Sequence, residues 1–197
     1  IKLKVYLSQE RGDLHTSGKF LCINSLDVPS IISFIDDDIV YPHDYISTLV
    51  KHLGALSSEA IIGVHGRKFK PPYASYVDDV ESYHFAQALM SNTEVDELGT
   101  GACAFLSNPM KFDVRKWVYT DACDIQLALE AQKRGIRRVC IKRPRGWLSP
   151  LAEDQPESCW TKTKADPSRQ NSLMRSLISS DAPLKAARHG STLEQSL

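Results

Sequence analysis

The run Ile31-Ile32-Ser33-Phe34-Ile35 constrains this chain more than any other segment, because it ends without a break in Asp36-Asp37-Asp38. A nearly continuous β-branched and aromatic run suits a strand buried on both faces, as in a parallel or mixed sheet. Three adjacent carboxylates at its carboxyl end are costly. Each ionised group raises the cost of ionising its neighbours, so the cluster calls for a cation. Hard divalent ions such as Mg²⁺ or Mn²⁺ take oxygen ligands. In open α/β sheets, ligands bind outside the carboxyl ends of strands. The competing reading is a solvated turn with a helix cap, where aspartates are common.

The segments around the triplet extend the pattern. Pro42 and Asp44 suit a first helical turn. Ile46, Leu49, Val50 and Leu53 then recur at i, i+3, i+4 and i+7, one apolar helical face. Ile61-Ile62-Gly63-Val64 reads as the next strand, so strand, helix and strand follow in order, the pattern of a right-handed βαβ unit. Gly99-Thr100-Gly101 is a turn entering the apolar piece Ala102 to Leu106. Asp124 to Arg134 reads as a helix that Gly135 ends, and Val139-Cys140-Ile141 as a strand. The segment from Tyr76 to Glu97 is ambiguous. Lys2 to Leu7 alternates like a strand, with a polar loop from Ser8 to Lys19 after it. The expected class is α/β.

The string Phe34-Ile35-Asp36-Asp37-Asp38-Ile39-Val40-Tyr41-Pro42-His43-Asp44-Tyr45 resembles the D-x-D region of GT-A-fold glycosyltransferases, and most of all the family-2-like bacterial enzymes that build surface polysaccharides. That resemblance implies a Rossmann-like, mostly parallel mixed sheet flanked by helices. Carried over, Asp36 lies near the base or ribose and contributes to the metal site, Asp38 binds the ion, and Asp37 shares either role. Lys19, in Gly18-Lys19-Phe20, matches a lysine-bearing piece that precedes this motif and contacts the nucleotide.

Family members add a glycine-rich turn and a second acidic motif. Gly99, Thr100 and Gly101 match the first, where small residues let backbone amides approach a sugar or diphosphate, although a plain tight turn is the commoner use. Asp121 and Asp124 match the second. An inverting transfer needs a carboxylate to take the proton from the acceptor hydroxyl. Asp124 fits that base position better, and Asp121 is the second choice; both also suit a helix cap. The family's common Glu-Asp pair is absent. Arg143 and Trp147 match loosely the Arg and Trp that follow the last strand near the active site. His65, just after a strand, reads as either a cleft residue or a hydrogen-bonded structural histidine.

From Lys133 to Arg145 there are seven basic residues and no acidic one, read either as a solvated face or as a patch for diphosphate, an anionic acceptor or a phospholipid surface. Over the whole chain Lys plus Arg equals Asp plus Glu, at 24 each, which argues against nucleic acid as a partner. No apolar run reaches the roughly 18 residues of a spanning helix. The five cysteines form no C-x-x-C pair and read as buried free thiols of a reducing compartment.

The resemblance therefore implies a GT-A-like catalytic domain over residues 1–149, lacking its opening strand, so that the natural chain is expected to begin earlier. Residues 150–197 are expected to form a C-terminal extension, either loop and helix or partly disordered. The implied cofactor is Mn²⁺ or Mg²⁺, the donor a nucleoside-diphosphate sugar with UDP-sugars favoured, and the acceptor a glycan or a lipid-linked molecule. The implied setting is cytoplasmic, with peripheral association at the inner face of the membrane. The competing functions are another metal-dependent phosphoryl-transfer hydrolase and a catalytically inactive sugar-nucleotide-binding module.

Overall fold

A computed structural model describes residues 12–56, 60–151 and 158–190, with backbone alone for 181–190. The expected strand at Lys2–Leu7 lies outside the described residues. The chain enters through a 3-10 helix, His15–Ser25, that buries Phe20 and Ile23. Part of this stretch reads as loop in sequence. Strand β1 (Ile31–Ile35) leads through the acidic triplet to the short β2 (Ile39–Val40) and helix α1 (Tyr45–Ala55). Strands β3 (Ala60–Gly63), β4 (Gly66–Phe69), β5 (Val80–Tyr83), β6 (Thr93–Glu94), β7 (Glu97–Leu98) and β8 (Ala102–Leu106) follow. A 3-10 turn at Val114–Lys116 precedes α2 (Cys123–Lys133), β9 (Arg137–Cys140), β10 (Ser149–Pro150), α3 (Cys159–Ala165) and α4 (Ser168–Gly190).

The class is mixed α/β, as expected, but the main sheet is not mostly parallel. Its order is β1-β8-β3-β9-β6. β8 runs antiparallel to both β1 and β3, β6 is antiparallel to β9, and only β3 and β9 pair in parallel. The correction has a simple origin. Residues 102–106 return from the Gly99–Gly101 turn directly between β1 and β3, so the expected βαβ unit is opened by a reversed strand. β1, β3 and β9 still point the same way, and β1 and β3 both end opposite the start of β8.

β1 is also not buried on both faces. Among the described residues it pairs only with β8, and its exposure alternates. Ile32 and Phe34 enter the core, while Ile31 and Ile35 stay 43% and 63% exposed. A run of apolar residues looks doubly buried in sequence even when one face of its strand stays exposed, because β-branched residues suit either place.

Two cores sandwich this sheet. On one face, Tyr45, Leu49 and Leu53 of α1 pack on Ile62, Ala104, Val139 and Ile141. On the other, Phe20 and Ile23 meet Ile32, Phe34, Phe105, Trp117 and, from α2, Cys123 and Leu127. Phe20 lies 4.6 Å from Phe34 and 5.2 Å from Trp117 between ring centroids, spacings typical of favourable tilted aromatic pairs. The opposite side of α2, through Ile125 and Ala128, takes Leu173, Met174 and Leu177 of α4 together with Phe69 and Tyr76. Gly135 ends α2 with φ +66°, a left-handed conformation that a side chain disfavours. Among the described residues no helix is long and apolar enough to cross a membrane.

Candidate functional site

The carboxyl end of β1 brings four separate segments into contact. Asp36 leaves β1, the 3-10 helix supplies Lys19, the turn before β8 supplies Thr100 and Gly101, and the first turn of α2 supplies Asp124. The Lys19 ammonium donates to Asp36 Oδ1 at 2.6 Å and reaches Thr100 Oγ1 at 3.5 Å. Thr100 donates twice to Asp124 Oδ1, from its backbone N–H at 2.9 Å and from its hydroxyl at 2.6 Å. Gly101 faces Asp36 so closely that an added Cβ would fall 2.1 Å from Asp36 Oδ2. A side chain at 101 would therefore force the Asp36 carboxylate out of its present position.

Tyr41 holds this loop in place. Its hydroxyl donates to the Gly101 carbonyl and accepts the Asp36 N–H at 2.8 Å. Burial pushes the Tyr41 hydroxyl up to about 12, and the nearby Asp36 and Asp38 carboxylates add to that effect. Tyr41 stands in the quoted motif, but its role depends on a partner 60 positions away, which sequence alone does not reveal. Lys19 is held above the ordinary lysine value. Burial works against its ammonium, and Cys123, the Asp36 hydrogen bond and the Asp36 and Asp124 charges outweigh it. It stays cationic at neutral pH, suited to a phosphate or carboxylate.

Asp121 differs from Asp124. Its Oδ2 accepts from Arg169 of α4 at 2.6 Å, and its buried Oδ1 has no hydrogen-bond partner. Asp124 has no basic partner within ion-pair distance among the described residues, and Oδ1 alone carries its bonds to Thr100. Oδ2 is left for another proton. Gly99 belongs to the scaffold: its N–H donates to the His65 carbonyl at 3.0 Å, and the His65 ring would lie 3.2 Å from a Cβ there. His65 stacks edge-on to His84 at 5.4 Å, and burial first, then His84 and Arg67, lower its basicity to about 3. It is a neutral structural ring.

Arg143 and Trp147 are not assembled with this cluster. Arg143 is 5% exposed and donates to the carbonyls of Tyr83, His84, Phe85 and Ile141. Trp147 donates to Asp44 Oδ1 at 3.1 Å and packs 5.9 Å from the Tyr45 ring. It props the start of α1 behind the acidic loop, where β10 also pairs with β2 and the Leu151 N–H donates to the Asp38 carbonyl at 2.7 Å. The basic run from 133 to 145 is not a uniform solvated face: Lys133, Lys142 and Arg145 are exposed, whereas Arg134, Arg137, Arg138 and Arg143 bond groups of the chain. Arg138 bonds the carbonyls of Val95 and Ala128, Arg134 bonds Glu130 and the Lys111 carbonyl, and Arg137 bonds the Leu56 carbonyl. These guanidiniums satisfy backbone groups where strands and loops meet, a use invisible in a linear charge count. The thiols also divide: Cys103, Cys123 and Cys140 are buried, whereas Cys159 is exposed.

A second polar group, not picked out in sequence, lies beneath the first. Glu97 accepts from the Tyr76 hydroxyl at 2.7 Å and from Arg67 at 3.4 Å, and the Arg67 guanidinium lies over Tyr76 at 4.0 Å. Burial pushes the Glu97 carboxyl up to about 7; Arg67 opposes the rise and Asp124 adds to it.

Among the described residues no three His, Cys, Asp or Glu side chains converge on a common point as a metal cage would require. What the acidic loop offers is the Asp38 carboxylate, whose oxygens have no hydrogen-bond or ion-pair partner among the described residues, and the Asp36 carboxylate, half engaged by Lys19. In donor chemistry, carboxylate oxygens are the type that Mg²⁺ and Mn²⁺ take, with phosphate and water as further ligands. No known family matches the chain, and no curated protein is significantly similar to it.

Proposed function

We propose that the chain is a metal-dependent glycosyltransferase of GT-A-like architecture. It moves a sugar from a nucleoside-diphosphate sugar, with UDP-sugars favoured, to a hydroxyl of a glycan or lipid-linked acceptor, with inversion. The observation that carries this reading is the convergence of Lys19, Asp36, Thr100, Gly101 and Asp124 at the carboxyl end of β1, the position at which open α/β sheets bind ligands.

Each residue has a distinct task. Asp36, oriented by Lys19 and Tyr41, faces the nucleoside, with Asp37 beside it. Lys19 offers positive charge to the donor diphosphate. Asp38, with Asp36, would hold Mn²⁺ or Mg²⁺, which supplies charge neutralisation for a departing diphosphate. Thr100 fixes the Asp124 carboxylate by two donors to one oxygen, leaving Oδ2 to accept the acceptor hydroxyl proton. Asp121 is the second choice because Arg169 already occupies its Oδ2. The proposed setting is the cytoplasm, at or near the inner face of the membrane.

The test is transfer itself. Purified protein incubated with a panel of UDP-sugars, Mn²⁺ and simple glycan acceptors should form a glycoside of inverted anomeric configuration by NMR. Hydrolysis of a simple phosphate ester without any sugar nucleotide would favour a phosphoryl-transfer hydrolase. Binding without turnover would favour an inactive sugar-nucleotide-binding module.

A further inference from the structure

Lys19 neutralises the same carboxylate that a divalent ion would take. Its ammonium lies 2.6 Å from Asp36 Oδ1, and Asp36 Oδ2 packs against Gly101, where an added Cβ would fall 2.1 Å from it. Neither oxygen of Asp36 stands clear of the chain. Among the described residues Asp37 and Asp38 have no ion-pair partner, so Lys19 is the one internal counter-ion of the triplet. We infer that Lys19 is a placeholder cation: it holds Asp36 until a divalent ion takes that carboxylate, and it then turns to the donor diphosphate. The turn to the diphosphate rests on the transferase reading above; the exchange at Asp36 rests on the contacts alone.

The surroundings allow the exchange. The Lys19 and Asp36 side chains are 23% and 39% exposed, so ions and water reach the pair. An ammonium is a point charge on a flexible four-carbon stem, easier to redirect than a two-pronged guanidinium. Thr100 Oγ1, 3.5 Å from Lys19 Nζ, is a second acceptor for it. The backbone is fixed on both sides: Phe20 is buried beside Lys19, and the Asp36 N–H donates to the Tyr41 hydroxyl at 2.8 Å. The exchange therefore moves one side chain and leaves the loop in place.

Charge couples the two ligands. Burial disfavours the Lys19 ammonium, but Cys123 and Asp124 of α2 and Asp36 of the loop outweigh it, so Lys19 is a cation at neutral pH. A divalent ion on its own must displace that cation and leave it facing a like charge. A nucleoside diphosphate gives the freed ammonium a new anionic partner. Ion and nucleotide therefore each bind better when the other is present, and by the same factor. Without Lys19 the ion no longer needs the nucleotide to clear its carboxylate.

Mn²⁺ binding to the full chain without nucleotide, read by electron paramagnetic resonance, tests this in the wild type, Lys19→Met and Lys19→Arg. Lys19→Met should bind Mn²⁺ at least about tenfold more tightly than wild type, because a unit charge beside the ion is gone, and Lys19→Arg should not gain. Labelling of Lys19 by an amine-reactive ester, read by mass spectrometry against the exposed Lys51, follows the ammonium itself. In wild type it should rise when Mn²⁺ is added and fall again with UDP. The labelling needs no variant, so it decides the matter even where Lys19→Met does not fold. Mn²⁺ affinity unchanged in Lys19→Met, or Lys19 labelling that ignores Mn²⁺, would overturn the placeholder. If labelling rises with Mn²⁺ but UDP neither binds nor reverses it, the exchange stands and the donor reading falls. If UDP and Mn²⁺ bind together while labelling ignores Mn²⁺, the donor reading stands and the exchange falls.

Discussion

Thr100 and Asp124 are joined twice through a single carboxylate oxygen, by a backbone N–H at 2.9 Å and a hydroxyl at 2.6 Å. The pairing links the turn before β8 to the start of α2, and it orients Asp124 more firmly than either bond alone. Thr100→Val removes the hydroxyl bond and keeps the amide one. It should cost about 1.5–3 kcal/mol of stability, the range for a hydrogen bond to a charged group. It should also lower kcat by up to about 100-fold, since small misplacements of a reacting group are costly. Urea denaturation and initial rates check both.

The two candidate bases should separate sharply. Asp124→Asn should lower kcat by about 10²–10⁴-fold, the usual range for loss of a general base. Asp121→Asn should lower it far less, because Asp121 is paired with Arg169 and held for structure. Equal losses in the two variants would contradict the assignment of the base.

Gly101→Ala puts a methyl where Asp36 Oδ2 now lies, 2.1 Å away. Asp36 must turn, and its bond to Lys19 must lengthen or break. A stability loss of about 1–3 kcal/mol follows from such overpacking. A larger relative loss is expected in UDP affinity, measured by calorimetry. A variant with normal affinity would show that Asp36 does not need its present orientation.

Arg143 has the opposite profile. Arg143→Ala leaves four carbonyls without their donor. Unfolding should become easier by about 3 kcal/mol or more, given roughly 1–3 kcal/mol for each unsatisfied buried group and partial rescue by water. UDP affinity of the folded protein should not change. A selective loss of affinity would return Arg143 to the ligand site.

Glu97 gives a pH signature. Its carboxyl titrates near 7 in the folded state against an ordinary value of 4.5, so between these values the folded chain binds the extra proton. Stability from this group is present below pH 4.5 and is lost as pH rises to about 7, by on the order of 3 kcal/mol. His65 acts the other way, since its basicity falls from 6.5 to about 3, and stability from it is lost as pH drops below 6.5. The wild-type curve should therefore be nearly flat between pH 5 and 6.5 with respect to these two groups. Glu97→Gln should gain relative to wild type as pH rises from 5 to 7 in denaturation series, whatever its absolute stability. Parallel curves would contradict the shift at Glu97.

Much of this site was legible in sequence because its chemistry is local. The Ile31–Ile35 run, the triplet, the Gly-Thr-Gly turn and the first turn of α2 each carry their own signal, and the structure brings Lys19, Asp36, Thr100, Gly101 and Asp124 together. What stayed hidden depends on long-range partners. The reversed β8 between β1 and β3 cannot be read from a strand's own pattern, so a βαβ reading gave the wrong sheet. Arg143 reads in sequence as a ligand-site residue and Arg138 as surface or patch charge, because their actual partners are backbone carbonyls, which carry no sequence signature. The Arg67–Glu97–Tyr76 group and the Arg169–Asp121 pair join residues 30, 21 and 48 positions apart, with no spacing to mark them.

The proposed transfer requires the acidic loop to bind a nucleoside diphosphate together with a divalent ion. Thermal shift with UDP-sugars, with and without Mn²⁺, tests it most directly, because a ligand that binds only the folded state raises its stability. The wild-type protein should be stabilised by at least one UDP-sugar only when Mn²⁺ is present, and Asp38→Ala should abolish that shift while melting normally without ligand. A shift that ignores Mn²⁺, or that survives in Asp38→Ala, would contradict the account.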